Sequence, residues 1–209
     1  GFGDVLGKFI ALADWRLAHV LVGERYDDAV APRVQEALDA CVRHVDAIGG
    51  ATDDGIRVLM SALIETGACM LDFGASRPAA GAEHYASHYL EMMLLWSNRP
   101  AILHGAKVGV ATLRVAEAYR RLRDLSREQA GDALRAARRP DRAREVERIR
   151  AAYGGISEQI VAEQSAWLGI SEEDFEALKA TILEHWGDVQ RIAAAVPAPE
   201  LLAEWLRTG

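Results

Sequence analysis

Apolar residues recur along this chain with the helical period of about 3.6, and no stretch alternates with the period of two that marks a strand. Asp4 to His19 reads as a first helix carrying Val5, Ile10, Leu12 and Leu17, with Gly23 as its stop. Pro32 suits a helix's first turn, and Val34, Leu38, Cys41, Val42 and Val45 follow at helical spacing before Gly49-Gly50. Thr52 or Asp53 caps a third helix, whose expected inward stripe is Ile56, Met60, Leu63 and Ile64, running towards Met70. Gly74 to Pro78 is a loop, followed by helices from about Gly81 to Trp96 and from His104 to about Leu122.

Ser126 then caps a short helix through Leu134. The arginine-rich run from 135 to 150 alternates with Asp141, Glu145 and Glu147, which makes it a solvated helical face rather than a phosphate track. Ser157 to Trp167 is helical. Ser171 opens another helix with the S-x-x-D form of a capping box and continues through Phe175, Leu178, Ile182 and Trp186. Pro197 and Pro199 separate it from a last short helix, Glu200 to Leu206. The pattern predicts about eight to ten helices, no repeat of fixed period and an all-α fold.

Composition narrows the class without naming the chemistry. The chain is half hydrophobic, 26% charged and carries a net charge of −7, which argues against nucleic-acid and anionic-membrane partners. No apolar run has the length of a membrane span, and Cys41 and Cys69 form no disulfide framework, so a reducing cytoplasm is expected.

The histidines carry the chemistry. Three of the six fall between Gly81 and Gly105. His84 and His88 are four apart and share a helix face, while His104 opens the next helix after Ser97-Asn98-Arg99-Pro100. Two helices presenting imidazoles to one point can hold zinc, nickel or iron, with a carboxylate completing the set. Asp4 is the carboxylate of interest, either as a metal ligand or as the N-cap of the first helix. Ser76-Arg77-Pro78 offers a guanidinium for an anionic substrate, or a surface arginine on a proline turn. Lys107 shares the His104 helix, and Lys8 lies one turn after Asp4. Gly1-x-Gly3 followed by Gly7 is not a dinucleotide fingerprint, because position 6 is Leu and no strand precedes it. His19, His44 and His185 read as structural.

Gly1-Phe2-Gly3-Asp4-Val5-Leu6-Gly7-Lys8, Ser76-Arg77-Pro78 with Gly81-Ala82-Glu83-His84, and His104-Gly105-Ala106-Lys107-Val108-Gly109-Val110 together resemble the sn-glycerol-1-phosphate dehydrogenases. That family sits in the superfamily of glycerol dehydrogenase, iron-containing alcohol dehydrogenases and dehydroquinate synthase. Val196-Pro197-Ala198-Pro199-Glu200 also resembles its C-terminal region. The resemblance implies the C-terminal, all-helical metal domain over 1–209, with the Rossmann-like NAD(P) domain and the extreme C-terminus outside this chain. It implies Asp4, His84 and His104 as metal ligands, zinc foremost, and His88 as a catalytic residue assisting proton transfer. Lys8, Arg77 and Lys107 become substrate contacts.

The implied reaction is hydride exchange between NAD or NADP and C2 of dihydroxyacetone phosphate, with the metal polarising the C2 oxygen. The isolated chain is expected to bind metal without turning over, in an enzyme that is at least a homodimer. Ile10, Ala80, Ala106 and Ala111 depart from the residues expected at their positions, which bears on the substrate rather than on the ligands. Two alternatives stand beside this reading: a dehydrogenase of glycerol or another unphosphorylated polyol, and a non-catalytic helical module for dimerisation or partner binding.

Overall fold

The computed structural model describes residues 1–209 and is 79% helical without strands. In chain order the helices are α1 (Phe2–Leu6), α2 (Lys8–Val22), α3 (Val30–Arg43), α4 (Val45–Gly49), α5 (Asp53–Phe73), α6 (Ala82–Trp96) and α7 (His104–Asp124). They continue as α8 (Arg127–Ala136), α9 (Arg142–Tyr153), α10 (Ser157–Glu163), α11 (Ser165–Leu168), α12 (Glu172–Glu184), α13 (Trp186–Ala195) and α14 (Pro199–Thr208). A 3-10 turn, Gly154–Ile156, joins α9 to α10.

The all-α reading holds, but four predicted helices are each two. The breaks fall at Gly7, His44, Gln164 and His185. His44, Gln164 and His185 sit near ψ of 22°, 8° and 19°, so one residue leaves the helical region at these three breaks, while Gly7 keeps helical angles. A single such residue interrupts the backbone ladder while barely rotating the apolar stripe, so hydrophobic period does not register it. At His44 the ring also bonds the carbonyl of Ala40 at 2.8 Å.

The chain divides into two compact units, Gly1–Asp124 with Gly187–Gly209, and Leu125–Trp186. The first unit holds three buried clusters. Phe2, Val5 and Leu6 of α1 pack with Leu38 and Cys41 of α3, Ile48 of α4 and Ala62 of α5. Ile10 and Ala13 of α2 join Ala116 and Tyr119 of α7, Ala193 and Val196, and Leu202 of α14. Trp15 packs with Val34, Cys69 and Phe73, its ring edge-on to Phe73 at 4.8 Å.

On α5 the expected stripe is inward only in part: Leu63 packs against the first cluster, and its other three members up to Ile64 are exposed. Ile56, Met60 and Ile64 are 49%, 50% and 67% exposed, while Gly55, Ala62, Thr66, Cys69 and Phe73 are buried. Small residues occupy the side facing α3 and α4; a Cβ at Gly55 would lie 2.2 Å from the carbonyl oxygen of Ala47. Close backbone approach at Gly55 helps decide which face goes inward, alongside Val58, Leu59 and Leu63, which pack on the first cluster. Thr52 is the cap of this helix, accepting from the Gly55 N–H at 3.1 Å.

In the second unit Ser126 and Gln129 form a reciprocal capping box. Ser171 accepts from the Asp174 N–H, but the Asp174 carboxylate receives the Ser171 hydroxyl instead of a backbone N–H. Helix α9 buries no residue, and Arg148 and Arg150 pair with Glu145 and Glu158, as expected of a solvated face. No helix of the chain is long and apolar enough to cross a membrane.

Candidate metal centre

The site is assembled by α1, α2, α6 and α7 of the first unit. Asp4 does not cap α1: Gly1 occupies that position, and Asp4 lies in the first turn with its side chain free to leave the helix. Gly3 lets α1 approach the start of α7, since a Cβ there would lie 2.3 Å from the carbonyl oxygen of Gly105. Asp4 is thereby set beside His104, the first residue of α7. Gly81 is the N-cap of α6, which places His84 in its first turn and His88 one turn on.

Asp4, His84 and His104 converge, offering one oxygen and two nitrogens all within 4.8 Å of one another. His84 Nε2 lies 3.1 Å and His104 Nε2 3.7 Å from Asp4 Oδ1. A tetrahedral metal with ligands at about 2.0–2.1 Å spaces its donors by roughly 3.4 Å, so these separations fit a divalent ion. His88 stands aside. Its ring centre is 6.2 Å from that of His84 and 5.6 Å from that of His104, and its side chain is 60% exposed.

The three donors and His88 line a cavity of about 650 Å³ together with Lys8 and Arg77. Lys8 is buried, with Nζ 3.3 Å from Asp4 Oδ1. Burial pushes the Asp4 carboxyl up, but the His84 hydrogen bond and the Lys8 ammonium outweigh it and hold the group at about 2. Burial likewise opposes the charged form of His84, yet its bonds to Asp4 and Glu83 raise its pKa above the ordinary value. Burial lowers that of His104 despite the attraction of Asp4.

The other two expected substrate cations differ in where they lie. Arg77 lines the cavity, but its fork is spent on Glu24, at 2.7 and 3.0 Å, and on the Asp14 carbonyl at 3.2 Å. Lys107 does not line this cavity. Its Nζ donates to the Ile102 carbonyl at 2.5 Å in a separate apolar hollow beside Leu90 and Leu94. It shares a helix with His104, but the direction of its stem, which sequence spacing leaves open, carries it away.

Several supporting residues escape the sequence reading. Glu83 is fully buried and accepts from His84 Nδ1 at 2.7 Å and from the Gly81 N–H at 3.1 Å. Asp14 accepts from the Ala82 N–H at 2.6 Å and from the Tyr119 hydroxyl, tying α2, α6 and α7 together. The only signal for Glu83 is an acid directly before His84, and neighbours in sequence do not face each other on a helix by default. Tyr119→Phe leaves a partly buried Asp14 oxygen without its hydroxyl partner and is expected to cost about 1–2 kcal/mol in chemical denaturation.

No protein-family model matches the chain. It is 52% identical over 122 residues to the glycerol-1-phosphate dehydrogenase (NAD(P)+) of Bacillus subtilis, covering 58% of this chain and 31% of that protein. Against the same-named protein of Bacillus licheniformis it is 38% identical over 198 residues, 90% of this chain and 49% of the relative. The Pyrococcus horikoshii protein of that name is 40% identical over 116 residues, 56% of this chain and 32% of the relative. This chain is a homologue of the C-terminal part of the glycerol-1-phosphate dehydrogenases. It spans less than half the length of these relatives. Their name carries an NAD(P)-linked oxidoreductase activity, and their C-terminal match agrees with the all-helical fold seen here.

Proposed function

We propose that this chain is the metal- and substrate-binding half of an NAD(P)-linked dehydrogenase that interconverts dihydroxyacetone phosphate and sn-glycerol 1-phosphate. The convergence of Asp4, His84 and His104 on one cavity carries the reading. A divalent metal bound there, zinc in the first instance and nickel or iron as alternatives, supplies Lewis acidity at the C2 oxygen. In reduction a hydride passes from the nicotinamide to C2 and a proton to its oxygen. His88, half out of the cavity wall, exchanges that proton with solvent. Lys8 is the cation nearest the metal donors and orients the substrate.

The proposal places the dinucleotide site in the part of the NAD(P)-named relatives that this chain does not match. Assembly as a homodimer or larger homo-oligomer and residence in the cytoplasm belong to the same proposal. They are supported by the exposed Leu71 and Leu103, at 83% and 84%, and by two free cysteines.

A second reading, an unphosphorylated polyol as substrate, is favoured by the pairing of Arg77 with Glu24, which occupies the guanidinium a phosphate needs. The test is NADH oxidation with dihydroxyacetone phosphate and with dihydroxyacetone, using the chain alone and joined behind the N-terminal part of the Bacillus licheniformis relative. Turnover of the phosphorylated ketone by the joined protein only is expected. Turnover by the isolated chain defeats the half-site proposal, and preference for dihydroxyacetone selects the second reading.

Metal binding is also expected to depend on pH with a definite sign. His84, its pKa raised, must give up its proton to ligate, whereas His104, its pKa lowered, is already neutral over more of the range. Zinc affinity should therefore climb by up to about tenfold per pH unit below the His84 pKa and level off above it. Calorimetric titrations between pH 6 and 8 check this, and a flat profile contradicts it.

A further inference from the structure

Glu83 is an expensive residue to keep where it is. It is fully buried, yet only Oε1 is hydrogen-bonded, and Oε2 has no partner. Oε2 lies near a second, partly buried carboxylate: a Cβ built on Gly81 would lie 2.8 Å from Glu83 Oε2 and 2.5 Å from Asp14 Oδ2. Two carboxylates crowding one glycine repel each other, and burying charge without a full set of partners opposes folding. A glutamine would serve the fold at least as well. Its amide oxygen accepts from the Gly81 N–H and from His84 Nδ1, and its NH₂ stands on the Asp14 side, where a neutral donor replaces a repelling oxygen. What glutamine lacks is the negative charge, and the side chain hydrogen-bonded to that charge is the imidazole of His84.

We propose that Glu83 is a positioning residue whose carboxylate, acting through the His84 ring, fixes the ring's tautomer and orientation and sets how tightly the metal is held. The inference rests on the metal reading above and deepens it. Holding Nδ1–H on Glu83 leaves the lone pair of Nε2 facing Asp4, 3.1 Å away, on the side where the metal donors converge. A carboxylate behind a histidine ligand raises its basicity, and loss of such partners costs about 10–100-fold in metal affinity.

The experiment compares the unsubstituted chain with Glu83→Gln. Zinc dissociation constants are measured by competition with a chromophoric chelator, and melting temperatures on the metal-free proteins. Glu83→Gln is expected to bind zinc at least about tenfold more weakly while melting at or above the temperature of the parent. In the zinc-loaded proteins the His84 Nδ1–H proton resonance should also move upfield on substitution, because its acceptor becomes neutral.

An affinity within twofold of the parent overturns the inference. So does a loss of affinity accompanied by a lower metal-free melting temperature, since the role would then be structural. If the unsubstituted chain binds no zinc, the metal reading itself falls, and this inference with it.

Discussion

His84→Ala is expected to lower zinc affinity by more than about 100-fold, and His88→Ala to change it by less than about threefold. The two histidines are four residues apart on α6, and by spacing alone they are equivalent. The fold separates them. His84, in the first turn, reaches Asp4 at 3.1 Å and is braced from behind by Glu83. His88 lies one turn further along, with Glu91 at 3.8 Å as its nearest carboxylate. Removing His84 takes one of three donors, leaves Glu83 without its imidazole, and leaves Asp4 only Lys8 within hydrogen-bond reach. Removing His88 takes a solvent-facing ring from the cavity wall, which on the proposed role slows turnover without loosening the metal. Elemental analysis after gel filtration, with chelator competition for the constants, separates the two. Equal losses from both substitutions would make His88 a ligand and His84 no more important than its neighbour.

That contrast marks what the sequence makes legible. The spacing of His84, His88 and His104 pointed to a metal site without deciding it, because helical period fixes which side chains share a face on one helix but not where a second helix presents its own. Asp4 was not visible in that way. It stands 80 positions before His84, and the residues themselves admitted an N-cap as readily as a ligand; the family resemblance chose between them, and the position of Gly1 as the cap agrees.

Directions finer than a helix face were lost. Arg77 and Lys107 were placed near the site by their elements, but whether a long cationic side chain turns into a cavity depends on its partners. Those partners, Glu24 and the Ile102 carbonyl, lie on other segments or around a loop. The face of α5 is legible only in part, through Leu63, for a related reason. Its large apolar residues dominate the periodic signal, whereas Gly55 and Ala62, which make the close contacts, contribute little to it.

The second large effect is expected at a residue with no side chain. Gly3→Ala should destabilise the protein by about 3 kcal/mol and weaken zinc binding at least about tenfold, although Gly3 donates nothing to a metal. A Cβ at this position falls 2.3 Å from the Gly105 carbonyl oxygen and 3.2 Å from its carbon. Both are backbone atoms at the start of α7, with no flexible end to swing aside, so relief requires α1 to move off α7. The residue after Gly3 is Asp4 and the residue before Gly105 is His104, so the displaced contact flanks two of the three donors. Their 3.7 Å separation widens with it.

Gly67→Ala is the control. It also replaces a helical glycine, but nothing lies within 4 Å of its added methyl group. Its effect should be neutral or a gain of roughly 0.5–1 kcal/mol from helix propensity alone. Denaturant unfolding and zinc titration of the two variants together distinguish a general cost of filling a glycine from the specific approach of α1 to α7. A Gly3→Ala protein with parental stability and affinity would show that Asp4 and His104 are held together by something other than that contact. The pair would then owe its geometry to Lys8 and His84 on the Asp4 side, and the backbone would be free to follow.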